Sequence, residues 1–173
     1  MQNSLRSNIE LGAQIVIAIA VLLVAGIIVK RNFFPEGRTM PAIRAGERLN
    51  LAGIDWKQNK KSLVFFLNKD CHYCTSSAPV YRQLQEEARK QNVKSLAVFP
   101  HSIEEAKAYL ESIQLSFDEI HSSPLAPVKI PGTPTVLFVN SSGTVEKVWF
   151  GDVSGREKQM LEEFLTLTEK AVD

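Results

Sequence analysis

Cys71 and Cys74, separated by two residues, are the only cysteines in the chain. Because two sulfurs at this spacing meet across one helical turn, they can form a reversible disulfide with little backbone movement. The first sulfur stands where a helix is predicted to begin, and the dipole and unpaired amides of a helix N-terminus stabilise a thiolate. The pair therefore predicts thiol–disulfide exchange, with Cys71 as the nucleophile and Cys74 as the thiol that resolves the mixed disulfide.

A structural or metal-binding role is the alternative for such a pair. The chain has no second cysteine pair, which excludes a four-cysteine zinc site and a scaffold held together by disulfides. A net charge of +1, without a stripe of basic and aromatic residues, argues against a nucleic-acid partner. We therefore expect redox chemistry carried by the two sulfurs alone, with no metal and no cofactor.

The N-terminal third of the chain predicts a membrane anchor. Residues 1–10 form a polar tail, and residues 11–29 are uncharged and long enough to cross a bilayer as a helix. The following Lys30–Phe34 has no small-residue cleavage site, which favours a retained anchor over a cleaved signal peptide. Residues 30–45 read as a linker. The basic residues after the anchor would hold the domain in the cytoplasm by simple counting, but long domains translocate largely regardless of charge, so both orientations stay open.

Residues 46–173 have the pattern of a single α/β domain. Ser62–Leu67 and Val93–Phe99 are apolar runs typical of buried parallel strands, and Cys71–Gln91 has helical spacing interrupted by Pro79. The other predicted elements are one or two strands within Glu47–Trp56, a helix after the capping box Ser102–Glu105, a short strand at Phe117–Ile120, a hairpin of Thr135–Asn140 and Val145–Phe150, and a last helix after the capping box Ser154–Glu157. The order β-α-β-α-β-β-α predicts a sheet with helices on both faces.

Four features together resemble the thioredoxin superfamily, specifically its membrane-anchored extracytoplasmic TlpA/ResA branch. They are Phe65-Phe66-Leu67 leading into Cys71-His72-Tyr73-Cys74, Pro79 in the active-site helix, Gly132-Thr133-Pro134-Thr135 ahead of a strand, and the closing strand–Gly–strand–helix of Val136–Leu167. The resemblance covers residues 46–173. It implies a thioredoxin-like fold, in which helices flank a central mixed sheet, with one N-terminal transmembrane helix.

The resemblance also implies roles for residues around the cysteines. Pro134, in the cis form, would present the backbone of Thr133 to an extended substrate beside Cys71. His72 would add positive charge beside the thiolate, or would be a solvated residue of the first helical turn, and Tyr73 would pack near the substrate groove.

Two residues depart from the thioredoxin pattern. Asp70 stands where thioredoxin has tryptophan, and Phe65 stands in the place of its buried aspartate. The sequence therefore does not identify the group that accepts the proton of Cys74.

We expect a membrane-anchored thiol–disulfide oxidoreductase that faces the extracytoplasmic space and acts as a reductase. Its partners would be cysteine-containing protein substrates and a membrane electron donor, although the histidine inside the motif leaves oxidase or isomerase activity open. The alternative is a copper-delivery protein similar to the Sco family, in which His101 or His121 would be a third ligand; both histidines are otherwise predicted to be exposed loop residues. A peroxiredoxin is the third alternative, but its Pro-x-x-x-Thr-x-x-Cys pattern does not occur in the sequence.

Overall fold

A five-stranded mixed sheet forms the centre of the computed structural model, which describes residues 42–169 together with Val24. The elements in chain order are α1 (Trp56–Asn59), β1 (Ser62–Phe66), α2 (His72–Ser76), α3 (Ala78–Lys90), β2 (Lys94–Phe99), α4 (Ile103–Ser112), β3 (Glu119–Ser122), β4 (Thr135–Val139), β5 (Val145–Phe150) and α5 (Glu157–Glu169). The strand order is β3-β2-β1-β4-β5. β1, β2 and β3 run parallel, whereas β4 is antiparallel to both β1 and β5.

The strand that leads to the cysteines is the central one. All five residues of β1 are buried, as the continuous apolar run predicts for a strand covered on both faces. Within it Phe65 pairs with Ala97 of β2 on one side and with Val136 of β4 on the other. The predicted strands β1, β2, β4 and β5 are confirmed, each within a residue of its expected ends.

Alternate residues of the strands belong to two separate hydrophobic clusters, one on each face of the sheet. The first contains Leu63 and Phe65 and is covered by α3, α4 and α5; the second contains Val64 and Phe66 and is covered by α1 and irregular segments. The residues that cover the second face are Ile43, Leu49, Leu51, Trp56, Val128 and Ile130. The predicted thioredoxin-like α/β fold with flanking helices is therefore confirmed, but the three long helices share one face.

The active-site helix is divided where proline predicts it. α2 ends at Ser76 and α3 begins at Ala78, with Pro79 in the first turn of α3. Proline has no amide hydrogen and is tolerated there, whereas it would break a continuous helix. Ser77 lies at the break and is buried.

Two local predictions are wrong. Glu47–Trp56 forms no regular strand: it holds one isolated bridge, Arg48 to Thr144, and Asp55 caps the short helix α1 instead. The capping box Ser102–Glu105 forms as expected. The second predicted box does not, because Ser154 Oγ donates to Asp152 at 2.8 Å and the helix begins at Glu157.

Charged side chains lie on both strands at the edges of the sheet. On β5, Lys147 pairs with Glu163 of α5 at 2.8 Å. On β3, His121 Nε2 lies 2.9 Å from Glu119, which also pairs with Lys94 at 3.4 Å. His121 is therefore a half-buried strand residue, and the prediction that it lies exposed in a loop is wrong.

The predicted anchor, residues 11–29, lies outside the described residues apart from Val24. Among the residues that are described, no helix has the length and apolar character needed to cross a bilayer.

Candidate functional site

Cys71 lies at the N-cap of α2, five residues after the last residue of β1. Its backbone is extended and its Sγ accepts a hydrogen bond from the amide of Cys74 at 3.2 Å. An amide of the first helical turn has no partner within the helix, so a sulfur at the cap satisfies it and is itself stabilised as an anion. The first turn of α2 thus positions the sulfur that the sequence predicts to be the nucleophile.

The loop before β4 contacts the same sulfur from the other side. The Cys71 thiol donates to the carbonyl of Thr133 at 3.4 Å, and the Thr133–Pro134 peptide bond is cis. The loop is held in place because Thr135 Oγ1 donates to the Gly132 carbonyl at 2.7 Å. The structure therefore brings Cys71 next to Thr133 and Pro134, which follow it in the sequence by 62 and 63 residues.

Cys74 lies in a different environment, although it is only one turn away. Its side chain is fully buried in the cluster that contains Phe65, whereas Cys71 is half-buried. Burial raises the pKa of Cys74 to about 12, and its hydrogen bond with Cys71 adds to the rise, while the Asn68 backbone acts in the opposite direction. Both thiols are free in this structure. The pair is thus asymmetric: one sulfur reaches solvent and the other is kept neutral in the core.

The two residues between the cysteines lie on the surface. His72 and Tyr73 are exposed, Tyr73 to 56%, and their rings meet edge to face with centroids 5.8 Å apart. A second exposed aromatic ring, Phe150 at the end of β5, lies against the Gly132 backbone of the cis-proline loop. Tyr73 and Phe150 are, apart from Val24, the large apolar side chains that are exposed among the described residues, and both lie close to the cysteines in the chain or in the fold.

The turn between β1 and Cys71 is fixed by contacts that the sequence does not reveal. Asn68 Oδ1 accepts from the Asp70 amide at 2.8 Å and lies 3.0 Å from His101 Nε2. Lys69 pairs with Glu105 at 2.7 Å, and this hydrogen bond holds the pKa of Glu105 well below its usual range, at about 2. His101 lies in a loop as predicted, but it is half-buried, so the prediction that it is exposed is wrong. It ties the turn to the segment after β2.

Ser77 joins the break in the active-site helix to the segment after β5. Its hydroxyl donates to Asp152 Oδ1 at 3.0 Å and accepts from the Val153 amide at 3.2 Å. The helix does not use this side chain as a cap, so the hydroxyl is available for both bonds. These partners of Ser77 cannot be predicted from the sequence, because Asp152 is 75 residues away.

Phe65, in the place of thioredoxin's buried aspartate, packs edge to face against two rings beneath the site. Its centroid is 5.3 Å from that of Tyr81 and 5.1 Å from that of Phe117. Tyr81 is fully buried, and its hydroxyl has no hydrogen-bond partner among the described residues. The sequence predicts that Tyr81 lies on the apolar face of a helix. The structure confirms this and shows that the hydroxyl of Tyr81 is buried as well.

Nothing within residues 42–169 assembles a metal site around the cysteines. No group of three or more His, Cys, Asp or Glu side chains in that range is arranged to hold a metal ion. His101 and His121, the third ligands that copper delivery would need, bond to Asn68 and Glu119 instead.

Comparison with known proteins agrees with this geometry. A model of the AhpC/TSA family matches residues 40–148. A search of curated proteins finds no significant match. Among solved structures, a protein described as the thiol:disulfide interchange protein DsbE from Chlorobium tepidum is 17% identical, with 73% of this chain and 99% of that chain covered and a TM-score of 0.61.

Two further structures are similar at the same identity. The thioredoxin domain of a thiol-disulfide oxidoreductase from Bacteroides vulgatus is 17% identical, with coverages of 71% and 99% and a TM-score of 0.57. StoA from Bacillus subtilis is 17% identical, with coverages of 72% and 97% and a TM-score of 0.50. At these identities the likeness establishes the thioredoxin-like fold.

The asymmetry of the two thiols predicts a difference in alkylation. In the reduced protein at pH 8, we expect iodoacetamide to modify Cys71 and to modify Cys74 at least about a hundredfold more slowly, because only thiolates react and Cys74 is buried with a pKa of about 12. The rate at Cys74 should rise about tenfold per pH unit towards pH 12. Peptide mass spectrometry after timed quenching measures both sites. The protein unfolded in urea is the control, since both cysteines should then react alike. Equal rates in the folded protein would contradict the assignment of Cys71 as the accessible nucleophile and Cys74 as the buried thiol.

Proposed function

Since this chain belongs to the AhpC/TSA family and is a redox enzyme with a thioredoxin-like fold, we propose that it exchanges a Cys71–Cys74 disulfide with cysteine-containing protein substrates. The observation that carries the proposal is the placement of the two sulfurs, one at a helix cap beside the cis-proline loop and one in the core three residues later. Such a pair provides an accessible nucleophile and a protected resolving thiol.

In the reducing direction the chemistry has two displacements. The Cys71 thiolate attacks one sulfur of a substrate disulfide, the substrate S–S bond breaks, and a mixed disulfide forms between Cys71 and the substrate. Cys74 then attacks the Cys71 sulfur, and the second substrate thiol is released as the Cys71–Cys74 bond forms. The substrate gains two electrons and the enzyme loses them.

The surface beside Cys71 suits an extended polypeptide. The Thr133 backbone lies next to the sulfur, the exposed ring of Phe150 lies beside Gly132 of the same loop, and the exposed Tyr73 follows Cys71 by two residues. Exposed apolar rings around a polar backbone edge favour a peptide that pairs through its main chain and places apolar side chains on the rings. We propose Thr133 and Pro134 as the substrate groove.

Trapping experiments test the exchange. Cys74→Ser should accumulate mixed disulfides between Cys71 and protein substrates, because the resolving thiol is absent, whereas Cys71→Ser should form none. Non-reducing gels measure the trapped mixed disulfides, and the reduction of insulin measures turnover. Cys74→Ser should retain less than about a hundredth of wild-type turnover. The double variant is the matched control. A Cys74→Ser protein that traps nothing would contradict the proposal, and consumption of hydrogen peroxide by the wild type would then favour a peroxidase.

We further propose that the enzyme works as a reductase of the TlpA/ResA type, supplied with electrons by a membrane donor. Support comes from the sequence resemblance, which rests on the cysteine motif, Pro79 and the Thr133–Pro134 loop. Oxidase or isomerase activity is the competing direction, because His72 lies exposed between the two cysteines.

The reduction potential of the pair decides the direction. We expect a value near or below about −250 mV, as for reductants of the thioredoxin type, whereas about −120 mV would indicate an oxidant. Equilibration against dithiothreitol and glutathione buffers, followed by alkylation and mass measurement, gives the potential. His72→Ala is the matched variant: a lower potential would show that the imidazole stabilises the thiolate, and an unchanged potential would show that it is only a solvated residue.

We also propose that residues 11–29 anchor the enzyme in the cell membrane, with the domain extracytoplasmic. The proposal rests on the uncharged apolar run and on the TlpA/ResA resemblance. We expect alkaline carbonate to leave the full chain in the membrane pellet and to release a variant without residues 11–29. In intact spheroplasts an impermeant maleimide should label Cys71; labelling only after lysis would place the domain in the cytoplasm.

A further inference from the structure

Cys74 must react as a thiolate in a place that opposes its charge. Its side chain is fully buried, and the position of thioredoxin's buried aspartate is taken by the apolar ring of Phe65. The exchange proposed above nevertheless requires Cys74 to attack Cys71 in one direction and to leave it in the other. A charge formed in an apolar interior needs a hydrogen-bond donor close by.

Tyr81 buries a donor of this kind in the same cluster. Its side chain is fully buried with Cys74 and Phe65, and its hydroxyl has no hydrogen-bond partner among the described residues. A helical tyrosine side chain points back along the helix towards the N-terminus, which in α3 means towards Ser77 and Cys74. A buried unpaired hydroxyl is unfavourable for the fold, and a partner that it gains only during the reaction would account for it.

The Ser77 hydroxyl, at the break before α3, already has two partners. Ser77 Oγ gives its proton to Asp152 at 3.0 Å and accepts from the Val153 amide at 3.2 Å, so it has no proton left for Cys74. Burial raises the pKa of Tyr81, the neighbouring Ser77 side chain lowers it, and charge on Cys74 and on Cys71 raises it again, so that the net shift is upwards. The Tyr81 hydroxyl therefore stays protonated and acts as a donor, never as the base.

The other groups around Cys74 are accounted for. Cys71 raises its pKa, whereas the Asn68 backbone and the Thr133 side chain lower it. Tyr109 also lies in the field of both sulfurs, but its hydroxyl is 3.1 Å from Thr75 Oγ1 and is paired with it. Tyr81 is the remaining phenol of the cluster, and although its hydroxyl lies near the Ser77 side chain, it makes no hydrogen bond of normal geometry within the described residues.

We propose that the Tyr81 hydroxyl donates a hydrogen bond to the sulfur of Cys74 as that sulfur becomes anionic. In the resolving step the thiol proton of Cys74 passes to the departing substrate thiolate, the Cys71–substrate S–S bond breaks, and the Cys71–Cys74 bond forms. Tyr81 keeps its proton throughout and stabilises the sulfur while its charge is greatest. When a donor reduces the enzyme, the same bond stabilises Cys74 as the leaving group.

The test compares Tyr81→Phe with Tyr109→Phe in the full chain. We expect Tyr81→Phe to slow the resolution of a preformed mixed disulfide between Cys71 and a peptide thiol roughly tenfold, the value of a hydrogen bond to a charged group. The pH profile of that step should shift upwards by about one unit. Attack of Cys71 on a small aromatic disulfide should keep its wild-type rate, and the urea midpoint should be equal to or above that of the wild type because the lost hydroxyl is unpaired. Tyr109→Phe should change resolution less than twofold.

Three results would overturn the inference: wild-type resolution in Tyr81→Phe, an equal slowing of the Cys71 attack, or a lower urea midpoint, which would assign the hydroxyl to the fold. The inference rests on the proposed exchange, and the two fail differently. If the wild type itself forms and resolves no mixed disulfide, the proposed function fails; if the wild type cycles and Tyr81→Phe cycles equally fast, only the role of Tyr81 fails.

Discussion

The site depends on the position of the Cys71 sulfur, which is held by two hydrogen bonds, one from the amide of Cys74 and one to the carbonyl of Thr133. The amide comes from the first turn of α2, which begins where the central strand β1 has ended. The carbonyl comes from the loop that leads into β4, and β4 pairs directly with β1. Register between these two strands therefore sets the distance between the nucleophile and the groove, and the buried run of β1 serves the chemistry by fixing that register.

The same strand explains why the two sulfurs differ. Because β1 is covered on both faces, the chain that leaves it passes from the core to the surface within a few residues. Cys71 is at the point of emergence, and one helical turn carries Cys74 back into the cluster of Phe65 and Tyr81. Burial stabilises the neutral form of a thiol, so the fold alone separates the two cysteines chemically before any charged neighbour acts.

Local pattern was sufficient to predict the parts of this structure that depend on nearby residues. The apolar runs of β1 and β2, the break at Pro79, the capping box at Ser102 and the cysteine motif all have their determinants within a few positions. The contacts that complete the site join distant segments: Asn68 with His101, and Ser77 with Asp152. Polar residues of this kind have no periodicity, so the sequence gives no sign of their partners. The prediction of strands within Glu47–Trp56 was wrong for a related reason. Loose alternation of apolar residues cannot distinguish a strand from an irregular segment that covers a sheet.

The paired charges on the edge strands have a consequence for the sheet itself. A sheet edge presents unpaired amides and carbonyls, and an extended polypeptide can add to it as a further strand. Here β5 carries Lys147, paired with Glu163, and the short β3 carries Glu119, paired with Lys94. Charges at such positions disfavour strand addition, so the sheet resists growth at both of its edges through pairing with an extended polypeptide.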